Sequence, residues 1–385
     1  MNSEKLIIKS LEKEEYIKYY LTLDLNQVHT ISEIRKEYND VYQYLIDQNI
    51  HVIYEKGFGL LEAKEILFKI RNEVSSAYKT ELAPFSYIEG SPAYGSMISS
   101  ITIHGIYKKS DHIDIEYIRS SGSFNIGTRV TTNEKELIYL MNLNNVQRES
   151  NTTEFAATFE WLESFMKHNQ LLGPHLVRTW IYLKDINDHN NYEKLNTARR
   201  AFFEKWDIDY SEKSNVLPAS TCIGGIATND TSISMDVMFL KNKTNRSLID
   251  RVYTSLLNEA EGEEYLFRPT FSRALKIEDD EHIEIQLSGT ASVNAAGKTV
   301  YKNDAYQQIK KALENVSSML EKHKLSFDDF YQSTCFFKSR EYVNIFEAIL
   351  NELGMKCFTK TFVVNDVCRD DLLFEIDGVI MKKTS

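Results

Sequence analysis

The chain has 385 residues, of which 42% are hydrophobic, and a formal net charge of -11 at pH 7. This length is sufficient for more than one hydrophobic core, and no apolar run approaches the roughly 18 residues of a membrane span. An acidic chain lacks the clustered basic face that general nucleic-acid binding requires, and the charged N-terminus does not resemble a secretory signal. We therefore expect a cytoplasmic protein that binds neither nucleic acid nor membranes.

The first 85 residues begin with a polar, lysine-rich stretch. The amphipathic pattern of ISEIRKEYNDVYQYLIDQNI then predicts a helix, and HVIYEKGF predicts a short strand that ends at glycines. A second amphipathic helix is predicted within residues 61–85. Because no motif identifies this part, we expect residues 1–85 to form an N-terminal extension that packs on the unit after it.

The remaining chain contains two weakly similar copies of one pattern, which runs as strand, glycine turn, helix, strand, helix, strand and strand. The first copy contains IRSSGSFNIG and ends in SISMDVMFLK, whereas the second contains IQLSGTASVN and ends in LLFEIDGVIMK. We expect an α+β fold of two units, residues 86–250 and 251–385, each a mixed sheet with helices packed on one face. The seam between the units is the expected place for a site.

The second copy has the clearer periodicity. A helix is predicted from Asp304 to His323, with Asn303 or Asp304 as its cap. In the last strand the alternation of side chains places Glu375 and Asp377 on one face, and a methionine or the aspartate of ISMDVMFL is expected opposite Glu375 in the first copy. A carboxyl on a mostly apolar face has a raised pKa and suits a general acid, although a solvated strand glutamate is the ordinary alternative.

The four cysteines show no metal-binding or disulfide framework. They are Cys222, Cys335, Cys357 and Cys368, and they have neither C-x-x-C spacing nor neighbouring histidines. We expect free thiols and no zinc site.

Several motifs of the chain resemble a known family. From LSGTASVN to LLFEIDGV, the second copy resembles the Rid (reactive-intermediate deaminase) fold, a small α+β unit that normally forms trimers. The motifs VRTWIYLKDIN, YEKLNTARRAFFE, LPASTCIGG, FSRA, SGTAS and DVCRDDLLFEID follow the order of the chorismatases, which carry two such units in one chain. The resemblance implies a fold of two tandem Rid-like, chorismate-mutase-like units.

The resemblance also implies a reaction. Chorismatases remove the enolpyruvyl group of chorismate as pyruvate, and they leave either a dihydroxycyclohexadiene carboxylate or a hydroxybenzoate, without a metal or organic cofactor. In this chain the implied proton donor is Glu375. Arg178 and Arg273 are the implied partners of the two substrate carboxylates, since arginine binds carboxylate through two parallel hydrogen bonds. A surface or ion-paired arginine is the alternative at each position.

Other motif positions carry weaker expectations. Tyr192 and Thr221 have hydroxyls that can hydrogen-bond the substrate, and Gly224 allows close approach of the backbone. Arg369 is a weak candidate for anion binding. Ser288 and Gly289 are expected to form a structural turn, and Arg199 and Arg200 lie in a helix where a charge is unremarkable.

Two positions bear on the product and one on the reaction class. Cysteine at 368 is typical of hydroxybenzoate-forming members, whereas those members tend to have glycine where this chain has Ala274. The product therefore stays open, with 3-hydroxybenzoate favoured. Lys360 stands fifteen residues before Glu375, where Rid deaminases have an arginine, and this argues against an imine or enamine deaminase. Lysine there could still contact an anion as a point charge.

Two alternatives to a chorismatase remain at this stage, a Rid-type deaminase and a non-catalytic protein that binds small anions. The expected partner is a small molecule, chorismate, and the chain is expected to be a monomer or a small homo-oligomer.

Overall fold

The computed structural model describes residues 5–120, 124–144, 153–210, 216–227, 231–244, 248–252, 270–294, 296–355 and 358–384. Over these ranges the chain forms three mixed sheets, each with two helices. The predicted α+β class is confirmed, but the sheets number three instead of two. None of the helices in these ranges is long and apolar enough to cross a membrane.

The first sheet has the strand order β1-β2-β5-β3-β4. In chain order its elements are β1 (Leu6–Glu12), β2 (Tyr16–Asp24), α1 (Ile31–Asp47), β3 (His51–Gly59), α2 (Lys64–Tyr78), β4 (Phe85–Glu89) and β5 (Ile98–Lys108). The expected N-terminal extension is thus most of a sheet. No boundary lies at residue 85, because β5 is hydrogen-bonded to β2 and β3.

The second sheet has the order β10-β9-β11-β8-β7-β6. Its elements are β6 (Asp114–Arg119), β7 (Asn125–Thr131), β8 (Lys135–Leu143), α3 (Glu154–His168), β9 (Leu176–Leu183), α4 (His189–Lys205), β10 (Ala219–Gly224) and β11 (Ile233–Asn242). It contains most of the first predicted repeat.

The third sheet has the order β12-β13-β14-β17-β15-β16. Its elements are β12 (Leu248–Val252), β13 (Ala274–Glu278), β14 (His282–Ala291), α5 (Ala305–Glu321), β15 (Phe330–Phe337), α6 (Glu341–Glu352), β16 (Thr361–Val364) and β17 (Phe374–Lys383). The predicted cap of α5 is confirmed, since the Asp304 side chain accepts a hydrogen bond from the Gln307 amide. The expected boundary at residue 250 falls within β12, and Cys357 lies outside the described residues.

All three sheets share one connectivity. Two or three antiparallel strands are followed by a helix, a strand, a second helix and a second strand. The final strand then lies in the middle of the sheet, between the last of the first antiparallel strands and the strand that follows the first helix. The repeat therefore occurs three times, and the lysine-rich start of the chain is the β1–β2 hairpin of the first copy. Lys18 of β2 is buried in an ion pair with Glu284 of the third sheet, so a polar residue here does not mark a surface.

Strand pairing identifies equivalent positions in the three sheets. In each sheet the last strand in chain order pairs with the strand between the two helices. The equivalent pairs are Phe58 with Ser100 in the first sheet, Tyr182 with Ser234 in the second, and Phe336 with Glu375 in the third. Ser234, and not a methionine or aspartate, therefore stands where Glu375 stands in the third sheet. Two residues further along, Asp236 corresponds to Asp377.

The helices lie outside and the three sheets face one another. Helices α1 and α2 pack on the first sheet, α3 and α4 on the second, and α5 and α6 on the third. Between the sheets, the Phe58 ring contacts the rings of Tyr182 and Phe336, with centroid distances of 6.0 Å and 5.9 Å. One aromatic residue from each sheet thus meets at the shared interior.

We expect Phe58→Ala to lower the free energy of unfolding by about 3–5 kcal/mol, because it removes a buried ring that contacts both other sheets. Urea denaturation followed by fluorescence measures the change. Phe124→Ala is the matched control, since Phe124 is 76% exposed, and it should change stability by less than about 0.5 kcal/mol. Equal effects of the two substitutions would contradict the role of the shared interior.

Candidate active site

A cavity of about 70 Å³ lies between the second and third sheets, and Glu375 forms part of its wall. We call it the Glu375 cavity. The second sheet and its helix contribute Tyr192, Arg199, Ser220 and Cys222; the third contributes Phe271, Arg273, Gly289, Ala291, Val293, Cys368, Arg369, Leu372 and Glu375. It lies at the predicted place, the seam between two units.

Glu375 is held inside the protein by strand β17. The residue is 3% exposed and lies opposite Ala291 of β14. Strand β14 has a register irregularity between Leu287 and Thr290, which contains Gly289, and a Cβ atom at 289 would overlap the Oε1 atom of Glu375. Gly289, expected only to form a turn, therefore leaves the room that the carboxyl group occupies.

Among the described residues, Glu375 is the only buried carboxyl group without an ion pair. Burial, followed by the negative charge of Asp377, raises its pKa to about 8, although Arg273 acts in the opposite direction. The Cys368 thiol donates to the Oε2 atom across 3.9 Å. At neutral pH Glu375 is therefore mainly protonated, as a general acid must be.

Arg178 and Thr221 lie beside the cavity but are not part of its walls. The Nη2 atom of Arg178 lies 3.1 Å from the Oδ2 atom of Asp377, and the Thr221 hydroxyl donates to the same oxygen at 2.8 Å. Arg178 also donates to Thr221 at 2.6 Å and lies over the Trp180 ring. Both side chains, expected to bind substrate, are engaged with Asp377 across the seam.

Four other predicted residues do line the Glu375 cavity: Arg273, Tyr192, Cys368 and Arg369. Arg273 immediately precedes β13 and is buried. Its positive charge lowers the pKa of the Glu375 carboxyl group, against the larger effect of burial. Tyr192 comes from α4, on the opposite wall. The Arg369 guanidinium donates to the carbonyl of Gly297 at 2.6 Å, which ties the segment before β17 to the turn after β14.

The structure places the other three predicted residues elsewhere. The Gly224 amide donates to the Asp366 carbonyl at 2.8 Å, so the close approach at this glycine is made by the chain itself. Ala274 is buried in the core beneath the third sheet. The Nζ atom of Lys360 lies 5.0 Å from the centroid of the Phe358 ring and does not reach the Glu375 cavity.

The sequence did not identify Arg199 and Cys222 as residues of the cavity wall, nor Asp377 as the ion-pair partner of Arg178. Arg199 was assigned to an unremarkable helix position, yet it is buried and faces the cavity. An available signal was its spacing of seven residues from Tyr192, which places both on one face of α4. Cys222 gave no signal, because only the fold brings β10 next to the segment before β17.

The raised pKa of Glu375 predicts a pH effect on stability. As pH rises from about 4.5 to about 8, the unfolded chain loses this proton while the folded chain keeps it, so wild type loses stability over this range. Glu375→Gln cannot titrate there, and its free energy of unfolding relative to wild type should rise by about 3 kcal/mol between pH 5 and pH 8. Urea denaturation at both pH values measures this, with Glu160→Gln, an exposed site, as control. A constant difference between Glu375→Gln and wild type would contradict the protonated state.

Comparisons with known proteins agree with this fold. A family model described as chorismatase FkbO/Hyg5-like, N-terminal, matches residues 119–240, which span the second sheet. A 3-hydroxybenzoate synthase from Streptomyces hygroscopicus is 24% identical over 256 aligned residues, with coverage of 60% of this chain and 69% of that protein.

Two solved structures are also similar. A chorismatase superposes with a TM-score of 0.60 over 86% of this chain and 93% of its own, at 16% identity. The yjgF gene product of E. coli covers 34% of this chain and 98% of its own length, at 21% identity and a TM-score of 0.26. The family match over the second sheet and the chorismatase fold over most of the chain agree with the sequence motifs. Residues 119–240 are therefore similar to the N-terminal domain of the chorismatases, and most of the chain has the fold of the chorismatase structure.

Proposed function

We propose that the protein is a chorismatase that cleaves the enolpyruvyl ether of chorismate and releases pyruvate together with a hydroxybenzoate, 3-hydroxybenzoate being favoured. The observation that carries this proposal is Glu375, a buried carboxyl group that faces the cavity without an ion pair and has a pKa of about 8. A carboxylic acid that keeps its proton at neutral pH is suited to protonating carbon.

The reaction begins with proton transfer from Glu375 to the methylene carbon of the enolpyruvyl group. This step converts the methylene to a methyl group and leaves an oxocarbenium ion at the ether carbon. Attack by water gives a hemiketal, whose bond between the former ether carbon and the ring oxygen breaks to release pyruvate and the diene diol. Attack by the neighbouring ring hydroxyl instead gives a cyclic ketal, from which pyruvate leaves with the oxygen of that hydroxyl, and loss of a ring proton then gives 3-hydroxybenzoate. In both routes the proton lost by the attacking hydroxyl or water restores the acid form of Glu375. The walls of the Glu375 cavity supply positive charge for the carboxylates, and Arg273 lies near the proton donor.

The size of the Glu375 cavity bears on how the substrate enters. At about 70 Å³ it holds roughly two water molecules, whereas sites for drug-sized ligands occupy about 300–1,000 Å³. Binding of chorismate therefore requires that the side chains of the second sheet move away from those of the third sheet at the seam. Tyr192 and Arg369 are the partly exposed polar side chains of the walls, and in this proposal they rearrange around the substrate.

Two observations support hydroxybenzoate over the diene diol. Cys368 contacts the carboxyl group of the proton donor, whereas Ala274 is buried away from the cavity, so the cysteine is the marker with a direct position at the site. The relative from Streptomyces hygroscopicus is a 3-hydroxybenzoate synthase. Burial raises the pKa of the Cys368 thiol far above neutrality, so it acts as a neutral group.

The deaminase alternative receives no support from the site. Lys360, at the position where Rid deaminases have an arginine, does not line the cavity that contains Glu375. A non-catalytic binding protein differs from a chorismatase in one result, namely tight binding of chorismate without release of pyruvate.

Glu375→Gln should reduce pyruvate release from chorismate by roughly 10²- to 10⁴-fold, because glutamine fills the same space but cannot donate the proton. A lactate dehydrogenase coupled assay without added metal measures pyruvate. In wild type, kcat/KM should fall as pH rises above about 8, where Glu375 ionises. The exposed Glu160→Gln variant should retain full activity. A fully active Glu375→Gln variant would exclude this residue as the donor, and no pyruvate from wild type would refute the proposed function.

Cys368→Ala should shift the products from the aromatic acid towards the diene diol, because the smaller side chain leaves room for water beside the cation. Cys368→Val fills that space without a thiol, so comparing the two variants separates volume from thiol chemistry. Chromatography of the ring products gives the ratio, and Cys335→Ala, in the core of the third sheet, is the matched control. A ratio that is unchanged in both Cys368 variants would remove this cysteine from product control.

A further inference from the structure

Two cysteines lie opposite each other on the two walls of the Glu375 cavity. Cys222 belongs to β10 of the second sheet, whereas Cys368 belongs to the segment that precedes β17 in the third sheet. An isolated antiparallel bridge joins these two parts of the chain, with Ile223 paired to Val367. One residue further along, the register of this bridge places Cys222 opposite Cys368.

The backbone pairing brings the two thiols within reach of each other. The bridge is closed by the Gly224 amide, which donates to the Asp366 carbonyl at 2.8 Å. Opposite residues of antiparallel strands have Cα atoms roughly 4.5–5.5 Å apart, and a disulfide joins Cα atoms about 4.4–6.8 Å apart. The thiols also interact, since burial, Glu375 and Cys222 all raise the pKa of the Cys368 thiol, in that order.

Both thiols can be reached by a small molecule. Cys222 and Cys368 are free thiols and partly exposed, whereas Cys335 is a free thiol buried in the core of the third sheet. The cavity between the first two holds roughly two water molecules, and hydrogen peroxide is only slightly larger than water. This oxidant can therefore meet the cysteine pair without any opening of the seam.

We propose that Cys222 and Cys368 form an oxidation site, at which hydrogen peroxide converts the two thiols to a disulfide that closes the Glu375 cavity. One thiol attacks the peroxide, takes up an oxygen atom to become a sulfenic acid, and releases one water molecule. The second thiol attacks that sulfur, which forms the sulfur–sulfur bond and releases a second water molecule. The pair loses two electrons and two protons, and the peroxide is reduced to two water molecules.

The disulfide acts on the site in two ways. It links the second sheet to the third across the seam, and these are the walls that chorismate has to separate in order to enter. It also removes the thiol proton that Cys368 donates to the Oε2 atom of Glu375. The consequence for catalysis rests on the proposed function, whereas formation of the disulfide depends only on the cysteines.

The protonation of the thiols sets the rate of oxidation. Burial raises the pKa of the Cys222 thiol to about 12 and also raises that of Cys368, and the thiolate is the form that attacks peroxide. Oxidation should therefore be slow at neutral pH and should accelerate roughly tenfold for each unit between about pH 7 and pH 9. The site thus responds to sustained exposure to peroxide and not to a brief pulse.

Peptide mapping after treatment with hydrogen peroxide tests the site without substrate. Mass spectrometry of a tryptic digest made without reductant should show a peptide pair that joins Cys222 to Cys368, and dithiothreitol should separate it. The matched control Cys335→Ser should give the same linked pair, whereas Cys222→Ser should give none. Absence of the pair from wild type after prolonged treatment at about pH 9, or a link from Cys368 to another cysteine, would overturn the inference.

Pyruvate release from chorismate supplies the second readout. Peroxide should largely abolish it in wild type and in Cys335→Ser, and dithiothreitol should restore it. Cys222→Ser, compared with its own untreated sample, should keep most of its rate. Equal losses in wild type and Cys222→Ser would show that oxidation of Cys368 alone suffices, and would refute closure by the disulfide. If untreated wild type releases no pyruvate, the proposed function fails, but the linked peptides still decide whether the oxidation site exists.

Discussion

The constraint on which this structure depends is that a carboxyl group enclosed between three sheets must be paired with a cation or keep its proton. Asp236 pairs with Lys56, Asp377 with Arg178, and Glu284 with Lys18, and each pair joins two different sheets. These ion pairs hold the seams together and are deeply buried. Glu375 lies in the same interior without such a partner, and burial, followed by the negative charge of Asp377, raises its pKa. The chemistry proposed for the site depends on the absence of this ion pair.

The threefold repeat explains why there is one such site. Serine occupies the position of Glu375 in the first and second sheets, at Ser100 and Ser234. The neighbouring acid is better retained, because Asp236 and Asp377 both form ion pairs across a seam, whereas the first sheet has Thr102 there. Equivalent backbones thus carry different side chains, and among the three equivalent positions only the third sheet has a carboxyl group. Under the proposed function a serine hydroxyl could not replace it, because the pKa of a serine hydroxyl is far too high to protonate an enol ether.

The sequence allowed local structure to be predicted well, but not contacts over long distances. The cap of α5 and the shared face of Glu375 and Asp377 depend only on neighbouring residues, and both were predicted. Arg178 was expected at the substrate from the family resemblance, and no local signal indicated its pairing with Asp377, which lies 199 positions away in the chain. The β1–β2 hairpin was missed for the same reason, since Lys18 has the pattern of an exposed residue until the third sheet supplies Glu284, 266 positions away. Periodicity and capping are local signals, whereas the pairing of buried charges is a property of the assembled sheets.

Under the proposed function, Arg273 of the cavity also acts on the proton of Glu375. In the empty site the positive charge of Arg273 lowers the pKa of this carboxyl group, against the larger effect of burial. A substrate carboxylate that pairs with Arg273 cancels that charge, and the substrate also displaces water from the cavity. Both changes disfavour the carboxylate form of Glu375, so binding the dianion raises its pKa further. The ligand's own charge therefore keeps the donor protonated until the methylene carbon accepts the proton, which an uncharged ligand could not do.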